Sequence, residues 1–427
     1  MTARPDPRPL TPDPAASPLR WRMISLAFWA TLINYLDRQT LSVAAPLLQE
    51  RFHISDEAYG WVVSAFLGTY TIMNGVSGPM IDRLGTKIGY GLCVAWWSIA
   101  AALHALTGGA LSLGVFRGLL GIGEAGNWPA AIKVVAEWFP ERERALAAGL
   151  FNSGSAAGAI LAPPLVAFLI QQVSWQAAFL FVGLSGMVWL AFWFGMYYTP
   201  QHEPGAAPEP PIPVTELLRT RMVIAFTISK IFLDPVWYFY IFWFPKYLKT
   251  TRHFDLAGIG KYAWIPFLVA GFGNLFGGWM SSALLRRGHS VTVARKGTVT
   301  FFAALMLSAI PAVLAEQAWL SIALVSIAMM GYTGALANML SIPADVFPKS
   351  AVGSVYGLAS MGSGGGGMLF TLITGWAVQR YGYTPVFFGF GVLPLICAAI
   401  LWGWLGPLDR PLTLRKLDAT KSPATTS

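Results

Sequence analysis

Twelve runs of mostly apolar residues divide this chain, each long enough for a helix that crosses a bilayer, about 20 residues. They fall near 21–48, 58–79, 88–109, 111–138, 144–171, 175–199, 221–248, 259–284, 292–315, 318–343, 350–379 and 383–406. The runs are solid and long. A transmembrane barrel would instead show alternating segments of about ten residues. Composition points the same way: 55% of residues are hydrophobic and 11% charged, against roughly 25% charged in soluble domains. Spread over a globular surface, that deficit would leave large apolar patches in water.

Gly121 to Gly126 reads G-x-G-x-x-G, the dinucleotide fingerprint. The motif has meaning only between a strand and a helix, and here it lies inside the unbroken run 111–138, with Glu124 where a pyrophosphate would sit. The glycines read instead as sites of close helix approach. Cys93 and Cys397 are far apart and the five histidines are scattered, so neither a disulfide framework nor a metal cluster is expected. No G-x-x-x-x-G-K-[ST] occurs, and no cofactor is expected.

The net charge of +9 is a matter of topology rather than of nucleic-acid binding. With the N-terminus inside, inner loops and tails hold 19 of the 29 Lys and Arg and outer loops hold six. That asymmetry places both termini in the cytoplasm; the basic stretch 246–261 dissents. The expected organisation is a proline-rich tail (1–20), a six-helix half (21–199), a cytoplasmic linker (200–220), a second half (221–406) and a tail (407–427). Internal repetition supports the halving. At a constant offset of 203, Trp61 meets Trp264, Gly75 meets Gly278, Arg83 meets Arg286 and Gly85 meets Gly288, and parallel half repeats mark transporters.

"GPMIDRLGTK" (Gly78–Lys87) resembles the loop motif of the major facilitator superfamily. "INYLDRQTLSVAAP" (Ile33–Pro46) is similar to helix 1 of its anion:cation symporter branch. "GIGEAGNWPAAIKVVAEWFP" (Gly121–Pro140) and "KIFLDPVWYFYIFWFPKYL" (Lys230–Leu248) resemble the bacterial hexuronate transporters. The likeness implies the major facilitator fold, all-α with twelve transmembrane helices in two pseudo-symmetric halves. It also implies a multi-pass protein of the bacterial cytoplasmic membrane that acts as a monomer. By the same likeness, the activity is proton-coupled import of a sugar acid such as glucuronate or galacturonate, with acids at Asp37 and Glu124 coupling the protons. Two stretches depart from the group: "GYTGALANML" (Gly331–Leu340), which lacks a His-Gln pair and a Trp, and "GSGGGGML" (Gly362–Leu369), which lacks the asparagine of galactonate carriers. Galactonate, glucarate, exchange, or a receptor that senses such a ligand remain alternatives. A membrane-embedded enzyme using Asp37 or Glu124 finds no supporting nucleophile and base.

Ionised residues inside membrane helices are costly and are functional candidates by default. Segment 1 holds Asp37 and Arg38, segment 4 holds Arg117 and Glu124, and segment 7 holds Lys230 and Asp234. Arg117 and Glu124 are seven apart, two turns along one helix face, with Asn127 near the same face. Arginine stays charged and offers a planar fork to a carboxylate, so Arg38 and Arg117 are expected to recruit an organic anion. Asp37 and Glu124 can exchange protons, and competition for the arginines would couple the two. Tyr35, Tyr70, Asn127, Asn152, Trp237, Tyr240 and Asn338 are the candidates for contacting the cargo, since aromatic rings with a polar handle stack on sugars. Lys230 and Asp234, four apart, are expected to pair. Gly78, Asp82, Arg83, Gly85 and Lys87 are expected at the inner surface, serving topology and gating, and Lys133 with Glu137 as a local ion pair.

Overall fold

In the computed structural model, residues 18–200, 212–254, 262 and 264–409 are described. Residues 1–17, 201–211 and 410–427 of the expected tails and linker lie outside them, as do 255–261 and 263 around the start of the eighth segment.

The described residues are helical, with no strand among them. The first half comprises α1 (Leu19–Phe52), α2 (Asp56–Leu84), α3 (Thr86–Leu103), α4 (Ala110–Glu124), α5 (Asn127–Trp138), α6 (Glu141–Gln172) and α7 (Trp175–Met196). The short α8 (Val214–Leu217) precedes the second half. That half comprises α9 (Arg221–Leu233), α10 (Pro235–Thr251), α11 (Ile265–Arg286), α12 (Val291–Leu305), α13 (Ala309–Leu314), α14 (Ala318–Val346), α15 (Val352–Tyr381) and α16 (Thr384–Gly403). A bilayer core has no water to satisfy backbone groups, so helices, which bond internally, are the form such apolar runs take. Their ends are set locally. Ser55, Ser174 and Ser290 each cap a helix start by accepting a backbone N–H. Gly85 and Gly288 end turns at φ 78° and 87°, which side chains rarely adopt.

The protein is apolar outside and polar within. Trp61, Leu111, Phe272 and Trp319 are exposed, while Asn34, Asp37, Glu124, Lys230 and Arg295 are buried. Among the described residues, eight helical stretches are long and apolar enough to cross a membrane. The other four expected spans are α1, α2, α4–α5 and α15, each of which contributes residues to the interior cavity. Three expected segments prove to be interrupted. Segment 4 breaks at Ala125–Gly126, segment 7 at Asp234, and segment 9 at a 3₁₀ turn (Met306–Ser308). The break at Asp234 has a local cause, because Pro235 lacks the N–H that would continue the ladder.

The halves meet along two seams built alike. Where α2 meets α15, a Cβ on Gly78 would strike the Gly353 carbonyl, and one on Gly357 would strike the Asn74 carbonyl. Where α11 meets α6, a Cβ on Gly278 would strike the Ala145 carbonyl, and one on Gly149 the Asn274 carbonyl. Small residues let the backbones approach this closely. The seams correct the repeat alignment: Gly278 does the work of Gly78, not of Gly75, so α11 carries three extra residues before the turn that Gly288 closes.

Gly149→Val and Gly357→Val should each overpack a seam at a cost of about 1–3 kcal/mol and lower the thermal unfolding midpoint in detergent. Gly195→Ala, where nothing lies within 4 Å of the added carbon, should leave the midpoint unchanged or slightly raised.

Candidate functional site

Between the halves lies a cavity of about 270 Å³, near the lower end of small-molecule sites, roughly 300 Å³. Its first-half wall includes Tyr35, Arg38, Tyr70, Arg117, Trp128 and Asn152. Its second-half wall includes Lys230, Asp234, Trp237, Tyr238, Tyr332 and Tyr356.

Arg38 is the centre of the first wall. Its Nε lies 2.6 Å from Oε2 of Glu124, and the two side chains are 22% and 0% exposed, so the guanidinium fronts the cavity with the acid behind it. Four rings surround the guanidinium carbon: Tyr70 at 4.5 Å, Tyr35 and Phe66 at 5.3 Å and Trp128 at 5.4 Å. Their π faces favour a cation that is only partly hydrated. Arg117 also lines the cavity and donates to the Arg38 backbone carbonyl at 3.2 Å. Asp37 is buried, lies off the cavity wall, and has one carboxylate oxygen without a hydrogen-bond partner. Its charged neighbours are Glu124, Arg117 and Arg38.

The glycines of the apparent fingerprint explain how Glu124 reaches this place. Gly121 abuts α2 at Thr69 and Phe66, while Gly123 and Gly126 abut α3 at Trp97 and Cys93. Side chains at these positions would push α4 outwards and carry Glu124 away from Arg38.

On the second wall, Lys230 Nζ lies 2.8 Å from Asp234 Oδ2, the expected pair along one helix face. Lys230 also sits 4.9 Å from the Tyr356 ring centre. The Tyr332 hydroxyl donates to Asp234 Oδ1 at 3.4 Å, and Trp237 stacks on Tyr332 at 5.3 Å. Asn152 accepts from Trp128 and donates to Asn274 at 2.8 Å, joining the halves at the cavity.

Three expected cargo contacts lie elsewhere. Asn127 accepts from Tyr90 at 2.6 Å and donates to Thr31 at 3.1 Å, wholly buried between helices. Tyr240 is buried against Phe239, Phe244 and Phe387. Asn338 donates to the carbonyls of Gly277 and Gly334, both at 3.1 Å, bridging α14 to α11. Helix periodicity placed these polar groups inside the bundle, but not which inner surface each one faces. Trp128, Tyr332 and Tyr356 are wall residues that were not counted as cargo contacts. An aromatic in a chain this rich in them gives no signal of its own.

One end of the cavity is sealed. Asp82, expected at the surface, is buried and accepts from Lys133 Nζ at 2.9 Å, from the backbone N–H of Gly353 and Ser354, and from the Ser354 hydroxyl. It thus sits on the N-terminus of α15, where a negative charge is favoured. Lys133 is therefore not the partner of Glu137, which accepts from Thr86 and Tyr197 instead. Arg83 is exposed, and the Lys87 carbonyl accepts from Trp193. Across the other seam, Asp345 holds Arg144 at 3.1 Å and Arg295 at 2.7 Å, and Arg295 also donates to the Glu141 carbonyl.

A helical bundle with interior charges around a cavity sealed at one end defines a membrane transporter. The chain matches the Major Facilitator Superfamily over residues 27–314 and 293–426, and it belongs to that family. It is 32% identical to the hexuronate transporter of Escherichia coli (strain K12) over 405 residues, covering 90% of this chain and 93% of that one. It is 36% identical to the galacturonate transporter of Dickeya chrysanthemi over 311 residues, covering 68% of this chain and 89% of that one. The crystal structure of the human organic anion transporter MFSD10 (TETRAN) shares the fold, with a TM-score of 0.74 at 16% identity, over 90% of this chain and all of that one.

Asp345→Asn would leave Arg144 and Arg295 against a neutral amide. Breaking a buried pair costs about 3–5 kcal/mol, so the unfolding midpoint of the variant should fall well below that of the wild type. Equal midpoints would show that the pairs do not hold this end.

Proposed function

We propose that this protein imports a sugar-acid anion, a hexuronate such as glucuronate or galacturonate, together with protons across the bacterial cytoplasmic membrane. The observation that carries the reading is Arg38, fronting the cavity inside a ring of aromatics with Glu124 bonded behind it. The names of these two relatives support the substrate class.

The cargo's carboxylate engages the Arg38 fork, with Arg117 adding positive charge beside it. Glu124 then loses part of its counter-charge while remaining sealed from water, and a buried acid in that position is accommodated by taking a proton. Asp37, close to the same two arginines, is the second proton acceptor. The proton and the anion thus travel together because they compete for one cation. The aromatic residues Tyr35, Tyr70 and Trp237 take the sugar ring, and Asn152 its hydroxyls. The excess of positive charge in the inner loops supports cytoplasmic termini; on this reading the sealed end is cytoplasmic and the cavity faces outward. Asp82 and Asp345, with their cationic partners, are the inner gate. Import follows as the halves rock around the midplane site, the protein acting as a monomer in lipid.

Glu124→Gln should abolish proton-driven accumulation of labelled glucuronate in liposomes while sparing counterflow exchange. Loss of both alike would assign Glu124 to folding or binding. Arg38→Lys should lose most affinity despite keeping its charge, because the two-pronged contact is gone; near-normal affinity would make Arg38 structural. Equal accumulation of neutral hexoses, indifferent to outside pH, would end the reading.

A further inference from the structure

The two ion pairs on the cavity walls are mounted in opposite senses. On the first wall the cation is outermost, with Arg38 22% exposed over a fully buried Glu124. On the second the anion is outermost, with Asp234 10% exposed over Lys230 at 2%. A bound molecule therefore meets positive charge at one end and negative charge at the other.

Asp234 is well secured as an anion. Lys230 holds one carboxylate oxygen and the Tyr332 hydroxyl points at the other. The walls interact across the cavity: Trp237 of the second half bears on Tyr35 of the first, and Tyr238 is within electrostatic reach of both Arg38 and Asp234. A six-carbon acid held by its carboxylate at Arg38 therefore lies in a cavity whose facing wall carries Asp234.

An ionised carboxylate only accepts hydrogen bonds. It suits hydroxyl groups, two of which can donate to its two oxygens. A second carboxylate there would meet a like charge in a confined site, at a cost of several kcal/mol. We propose that Asp234, braced by Lys230, is a specificity-determining residue that admits sugar acids ending in hydroxyls and rejects those with a carboxylate at both ends. Discrimination of this kind comes from repulsion of the wrong cargo as well as attraction of the right one. The inference rests on the sugar-acid reading above and sharpens it to monocarboxylates.

The test is competition against labelled glucuronate uptake by the full-length protein in liposomes, with galacturonate and the dicarboxylate galactarate as unlabelled probes. Wild type should be inhibited by galactarate at least roughly 30-fold more weakly than by galacturonate. Asp234→Asn should shrink that ratio to within about threefold by freeing Lys230 to meet the second carboxylate. Should the lone buried lysine prevent folding, the double variant Lys230→Gln/Asp234→Asn removes the pair as a unit and should also shrink the ratio. Galactarate competing as well as galacturonate in wild type, or a ratio unchanged in whichever variant folds, overturns the proposal alone. Uptake of no sugar acid by wild type overturns the underlying reading, and this one with it.

Discussion

A guanidinium cannot shed its charge inside a protein, and Arg38 is placed where bulk water does not supply compensation. The structure around it is a set of answers to that one problem. Glu124 lies behind it at 2.6 Å, and four aromatic rings offer their faces. The side chain is 22% exposed and lines the cavity, while its Nη2 is buried without a hydrogen-bond partner. Buried ion pairs contribute little net stability, because desolvation offsets most of their attraction. A pair retained at such cost, with its cation turned towards an enclosed space, fits an exchangeable partner better than a structural bolt.

The pairs at the sealed end follow a different rule. Asp82 and Asp345 are enclosed by donors on several elements, with backbone N–H groups and two arginines among them. Each of these sites draws its donors from both halves, so it exists only while the halves are together at that end. The glycine contacts on the two seams bring the backbones close enough for this to happen. Packing there is thus bistable in principle: the polar sites are complete when closed and lack partners when parted, where water can replace them.

The cavity's polarity joins the two themes. Two of its wall cations, Arg38 and Lys230, are paired with acids, and the order within each pair decides which sign faces that space. Exposures of 22% and 0% on one wall, and 10% and 2% on the other, set that order.

By itself the sequence determined the solvent. Apolar runs of about 20 residues and scarce charge leave the bilayer as their only stable medium, and helices as the only chain form there. It also marked which charges are out of place, because an Asp, Arg or Glu inside such a run is costly wherever the helix turns. The pairing of Lys230 with Asp234 was legible too, since a spacing of four is local geometry. Partners from distant segments were not. Arg38 and Glu124 are 86 residues apart and Lys133 and Asp82 are 51 apart. Periodicity puts a residue on a helix face but says nothing of what that face meets, so Asn127, Tyr240 and Asn338 could not be told from true wall residues. Only the tertiary structure decided those matters, because the rotation of each helix about its axis is settled by close contacts, such as those at Gly121, Gly123 and Gly126, that form when the neighbouring helices are in place.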